Sequence, residues 1–234
     1  MGFSDHAPFM HDDGFEAHYR VKINAVKDYF DTLKALREEY KNQIEIFIGF
    51  EIECYPYYYE KMVDFALSVG AEYLILGQHH TDTDRPNDPN GQEFFYPFKP
   101  SDNKKALTKF IDNLILAVKS GYISYVAHPD CFNYVGDQDF YNKEYERFLK
   151  ECKNHGVPIE INCLGIRDNR HYPNRNFLKL VGKVGVNAVI GHDSHDELNA
   201  YDDKSVIIAK NLAKEYSINI LEDFNLKLLN KKDL

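Results

Sequence analysis

Histidine and carboxylate side chains recur in this sequence at the ends of short apolar runs. The six runs are MGFSDH, IEIFIGFEIE, YLILGQHH, ISYVAHPD, VPIEINC and VNAVIGHDSH. They close on Asp5 and His6, on Glu51 and Glu53, on His79 and His80, on His128, on Glu160, Asn162 and Cys163, and on Asp193 and His195. Nitrogen and oxygen donors of this kind suit zinc, iron or manganese. The donor set fits a hydrolytic metal site better than a cofactor cradle. GxSxG, Walker A and GxGxxG signatures are all missing from the sequence.

Spacing ranks these residues. Asp193 and His195 are two apart, so an extended backbone points both the same way and turns His192 the other way, where a structural role is expected. Glu51 directly follows an apolar run and is expected at the site, with Glu53 facing the surface. His79 and His80 point to opposite faces, and periodicity does not choose between them. His128 precedes Pro129, which favours an extended conformation. Asn162 either binds a ligand or ties its own loop. Cys163 reads as a buried, inert thiol. Beyond it, GIRDNRHYPNR carries Arg167, Arg170 and Arg175. A guanidinium fork matches phosphate oxygens. Arg167, nearest the strand end, is the expected anion-binding residue, with Arg170 and Arg175 as surface charge.

The elements that must position these groups alternate. Each apolar run reads as a buried parallel strand. Between the runs, helical spacing covers about 19–41, 62–69, 106–119, 141–155, 174–183 and 204–216. Strands alternating with helices predict a parallel α/β sheet. Functional groups in such folds gather at the carboxyl ends of the strands. Residues 81–102 form a long Asp-, Asn- and Pro-rich connection ending in an aromatic cluster, read either as a solvated surface excursion or, following directly on His79 and His80, as a loop covering the mouth of the site. Residues 219–234 are expected to fray.

With no linker composition along the chain, one domain over 1–234 is expected. The net charge of −9 argues against non-specific nucleic-acid or membrane binding. No apolar stretch reaches membrane-span length. Four cysteines without a CxxC pair fit a reducing, cytoplasmic setting. The arginine loop suggests a small phosphate-bearing partner, and a homo-oligomer is compatible with the composition.

Taken in order, GFSDHAPF, GFEIE, LGQHH, AHPD, EIN…GIR and G-x-D-x-H resemble the PHP (polymerase and histidinol phosphatase) superfamily. The similarity runs from Met1 to about residue 200. SDHAP and EIN-x-x-G-I-R are most similar to its histidinol-phosphate phosphatase branch. The resemblance implies a distorted (β/α)7 barrel with up to three divalent metal ions at its strand ends. It implies a middle metal on Glu51, His79 and His128, which selects His79 over His80. It implies that Glu51 bridges to a second metal on Asp193, and that His6 and His195 hold a third. Arg167 would grip the substrate phosphate, Asn162 would contact substrate, and Asp193 would take part in catalysis. Family members open with a His-x-His strand that these residues do not include, and His11 and His18 come too late to replace it. The first β/α unit is therefore expected to be missing or truncated. The resemblance makes the phosphate-bearing partner a small phosphate monoester, and the implied reaction is hydrolysis of L-histidinol phosphate to L-histidinol and phosphate, a step of histidine biosynthesis. Alternatives are another PHP phosphoesterase or a non-catalytic metal-binding protein.

Overall fold

A computed structural model describes residues 1–229. Six strands form one sheet in sequence order: β1 (Gly2–His6), β2 (Phe47–Ile52), β3 (Leu74–Leu76), β4 (Ile123–Val126), β5 (Ile159–Asn162) and β6 (Ala188–Gly191). Every neighbouring pair is parallel. The sheet curls into a half-barrel with helices, the expected α/β architecture. The strands are the six apolar runs. Phe50, Ile52, Leu74, Leu76, Val126, Ile159 and Ile161 have no measurable exposure and mark the helix-packed face of the sheet, whereas β1, expected to be buried, is only partly covered because it lies at the sheet edge.

Helices fill the connections: α1 (Val26–Tyr40), α2 (Tyr59–Ser68), α3 (Lys104–Ser120), α4 (Gln138–His155), α5 (Cys163–Arg167), α6 (Arg175–Val184) and α7 (Asp203–Glu215). Their ends are written in the sequence. Asn103, Asp137, Asn174 and Asp202 each accept hydrogen bonds from backbone N–H groups of the first turn. Gly121, Gly156 and Gly185 end α3, α4 and α6 in the left-handed conformation that glycine adopts without penalty. The sequence reading did not include α5. It is one short turn capped by Asn162, too brief to show a period.

Two peripheral segments are better anchored than expected. The long connection at 81–102 is not a solvated excursion in its first half, where Thr81, Asp82, Thr83, Asp84 and Asp88 are buried. Asp84 is held by Arg20 and His11, and Asp88 by Tyr58 and Thr83. The connection is a fixed wall packed on residues 7–20. The C-terminal segment is also tied down as far as it is described. Ile220 bridges to Ala188 on β6, Lys227 donates its N–H to Ser124 on β4, and Leu229 donates its N–H to Glu72 before β3. It crosses the amino-terminal side of the sheet as a strap, because its backbone groups find partners there. The fraying expected for 230–234 lies outside the described residues. The four cysteines are free and buried. No helix among the described residues is long and apolar enough to cross a membrane.

Candidate metal and phosphate site

Parallel pairing sets the site's register. His6 at the end of β1 lies opposite Glu51 on β2, so both side chains leave the same face at neighbouring positions. His79 follows β3 by three residues and His128 follows β4 by two. Asp193 follows β6 by two. All five, with His195 and Arg167, line one cavity of about 440 Å³ at the carboxyl ends of the strands.

Glu51 is the centre. Its Oε1 lies 3.1 Å from His128 Nε2 and 3.6 Å from His79 Nε2, and its Oε2 lies 3.9 Å from His6 Nδ1. One donor atom each from His6, Glu51 and His79 fall within 4.8 Å of one another. Gly77 makes room for this carboxylate, because a Cβ there would stand 1.5 Å from Glu51 Oε1. Burial opposes ionisation of Glu51, but His6, His128 and His79 outweigh it and hold its carboxyl at about 2. Burial lowers His6 and so keeps its ring neutral, with a lone pair to give. Burial also opposes charge on His128, yet Cys131 and Glu51 raise it well above the ordinary imidazole value.

The residues present fit a divalent ion. His6 Nδ1 is buried and has no hydrogen-bond partner, an otherwise costly state for a ring nitrogen. Zinc, manganese and iron all accept this mixture of imidazole and carboxylate.

The far side is built differently from the spacing argument. Asp193 has φ of 46° and His128 has φ of 30°, so neither is extended. The chain turns sharply at both positions to aim short side chains into the cavity. Asp193 and His195 still meet, with Oδ1 3.1 Å from Nε2, but the His195 side chain is 63% exposed. His192, expected to be structural, is exposed. Burial opposes ionisation of Asp193, and its hydrogen bond from His195 prevails, pulling it far below the usual carboxylate range.

Asn162 does not reach the cavity as a substrate contact. Its Oδ1 accepts from Gly165 N–H at 2.8 Å, and its Nδ2 donates to Glu160 at 2.8 Å and Asp193 at 2.9 Å. The amide is used up capping α5 and holding Asp193. Glu160, buried beneath, also accepts the His128 N–H at 2.9 Å, and burial together with Asp193 lifts its carboxyl to about 7.

Arg167 ends α5 at the cavity edge and donates to Asp202 at 3.2 Å. Asp202 also caps α7 at Ser205, so the guanidinium is tethered to a helix start. Arg170 is exposed, as surface charge would be, but it also lines the same cavity, supported by Tyr172 at 2.7 Å and Asp168 at 3.1 Å. Arg175 pairs outside with Glu215.

Three aromatic residues also line the cavity. Tyr96 and Phe98 come from the end of the long connection and Tyr172 from the arginine loop. Phe98 stacks on His79 at 5.7 Å and 4°. The aromatic cluster was visible in the sequence, but its contact with the histidine was not. Glu53 is the largest departure. It is completely buried and hydrogen-bonds both His79 and Arg20.

A family model for the PHP domain matches residues 1–164. The chain belongs to the PHP domain family. Among solved structures, this PHP domain is similar to histidinol phosphate phosphatase (HISK) from Lactococcus lactis subsp. lactis Il1403, complexed with zinc, L-histidinol and phosphate. The TM-score is 0.68 at 18% identity, over 98% of this chain and 86% of that one. It is also similar to the hisK protein of Listeria monocytogenes, with TM-score 0.64 at 16% identity, over 88% of this chain and 87% of that one. At these identities the likeness concerns the fold of the PHP domain. Among curated proteins, none matches the sequence.

Proposed function

We propose that this PHP domain is a metal-dependent phosphomonoesterase, and that L-histidinol phosphate is its substrate. The observation that carries the reading is the single cavity in which His6, Glu51 and His79 converge opposite two arginines. Ligand donors and phosphate donors share one wall-to-wall space of a size suited to a small ester. Support for the substrate comes from the Lactococcus enzyme, whose fold this chain shares.

Bound divalent ions supply a hydroxide nucleophile near neutral pH and charge for the phosphoryl oxygens. His6, Glu51, His79 and His128 would hold the middle of the site, with Asp193 and His195 at its far side. Arg167 binds and orients the phosphate, and its Asp202 tether reduces the ordering needed on binding. Asp193, held by Asn162 at one oxygen and by His195 at the other, would carry the proton, alone or with that histidine. Tyr96, Phe98 and Tyr172 exclude water from one flank.

The test is direct. The purified chain is loaded separately with zinc, manganese and iron(II), its metal content is measured, and phosphate release from L-histidinol phosphate is followed. Metal-dependent release is expected. Metal binding with no release from this ester, but release from others, would keep the phosphoesterase and remove the substrate. No release from any monoester would remove the enzyme reading.

A further inference from the structure

Glu53 lies two residues beyond Glu51 but points away from the cavity into a closed polar cluster. Its two oxygens have separate partners. Oε1 accepts the His79 backbone N–H at 2.8 Å and lies 3.0 Å from His79 Nδ1. Oε2 is held by the Arg20 guanidinium and the Tyr55 hydroxyl, with the Tyr19 hydroxyl at 3.2 Å. Arg20 is itself 3% exposed, and it donates to Asp84 at 2.6 Å and to the Ala7 carbonyl at 2.9 Å. A carboxylate gripped by a buried guanidinium only accepts. The hydrogen between it and a neutral His79 ring must therefore sit on Nδ1. The lone pair is then on Nε2, the atom that faces Glu51 Oε1 at 3.6 Å.

We propose that Glu53 is a positioning residue that fixes His79 as an Nε2 metal ligand, with Arg20 bracing Glu53 for that task. This rests on the reading of His79 as a ligand. Imidazole ligands commonly give their second nitrogen to a carboxylate, which sets tautomer and ring orientation. Here one oxygen fixes both the backbone and the ring of the same residue. Phe98 closes the ring's face, and Asp84 joins the long connection to the same guanidinium. Burial opposes the Glu53 charge, but Arg20 holds the carboxyl well below its ordinary range.

Two measurements on the full chain test the proposal. The first is ring nitrogen NMR of the metal-free protein at about pH 8, above the ordinary imidazole range. The His79 signals are assigned by their loss in His79→Gln. An Nδ1–H ring is expected, and an Nε2–H ring would overturn the proposal whether or not Glu53→Gln folds. The second is zinc affinity by chelator competition for the wild type and Glu53→Gln. A loss of about 10–100-fold is expected for loss of such an outer partner, together with a mixed His79 tautomer. Equal zinc affinity in Glu53→Gln and wild type would refute the role. A wild type that binds no zinc would refute the metal-site reading instead, and the tautomer would still decide the fate of Glu53.

Discussion

Gly77→Ala tests the centre of the site without touching a donor atom. The backbone of Gly77 is not left-handed, so alanine is not excluded by conformation. What excludes it is Glu51. The new Cβ would lie 1.5 Å from Oε1, 2.4 Å from Cδ and 2.7 Å from Cγ. Ordinary contact is near 3.5 Å, so the carboxylate must retreat by about 2 Å. Metal–ligand distances tolerate only about 0.2 Å. Retreat also breaks the 3.1 Å contact with His128. Hydrogen bonds to charged groups contribute about 1.5–3 kcal/mol. Overpacking itself costs about 1–3 kcal/mol. Zinc affinity should fall by more than about 100-fold, since loss of an outer partner alone reaches that scale. Stability should fall by only a few kcal/mol. Chelator competition and urea unfolding on one preparation separate the two effects. A folded Gly77→Ala protein with wild-type zinc affinity would show that Glu51 does not ligate from this position.

Three further outcomes follow from the same geometry. Arg167→Ala should weaken inhibition by inorganic phosphate about tenfold or more, the scale of one charge-assisted hydrogen bond; an unchanged inhibition constant would remove Arg167 from the site. His79→Ala should lose metal, whereas His80→Ala should keep it and lose stability, because His80 is buried between Tyr19 and Phe94; metal content and urea midpoints check both, and the reverse order would refute the assignment. Burial raises Asp130 to about 7, so between its ordinary range and that value the folded state keeps a proton the unfolded chain has shed. Its contribution to stability is complete below about pH 4 and falls as pH rises, by about 3 kcal/mol from pH 5 to pH 8. Asp130→Asn should flatten that slope in urea unfolding of the metal-free protein, and an unchanged slope would place the titration elsewhere.

The strands and long helices were legible because strands packed beneath helices write short apolar runs, and caps and glycines mark helix ends. The candidate donors His6 and Glu51 were legible because they sit where those runs stop, whereas position alone left His79 level with His80 and only the family resemblance chose it. What the linear pattern hid was backbone direction and distant pairing. Neither the positive φ at His128 nor that at Asp193 has a sequence signal, since proline after one and polar neighbours around the other suggest different local shapes. Glu53 looked superficial because its partner, Arg20, lies 33 residues away in an ordered stretch of turns with no regular period. Arg170 looked like surface charge because its supports, Tyr172 and Asp168, acquire meaning only once the loop is folded against the cavity.

The C-terminal strap has a kinetic consequence. Its hydrogen bond between Lys227 and Ser124 joins residues 103 apart. Closing so long a span costs entropy before any contact repays it. The strands can pair with near neighbours as each emerges during synthesis, but the strap can dock only after almost all of the described chain is available. The amino-terminal side of the sheet is thus sealed last. In the finished protein, the same ordering makes it a natural place for the first local opening, at the amino-terminal ends of the strands. Amide exchange at Lys227 and Leu229 should then outrun exchange at Phe50 and Ile161, leaving the ligand-bearing strand ends intact while the base breathes.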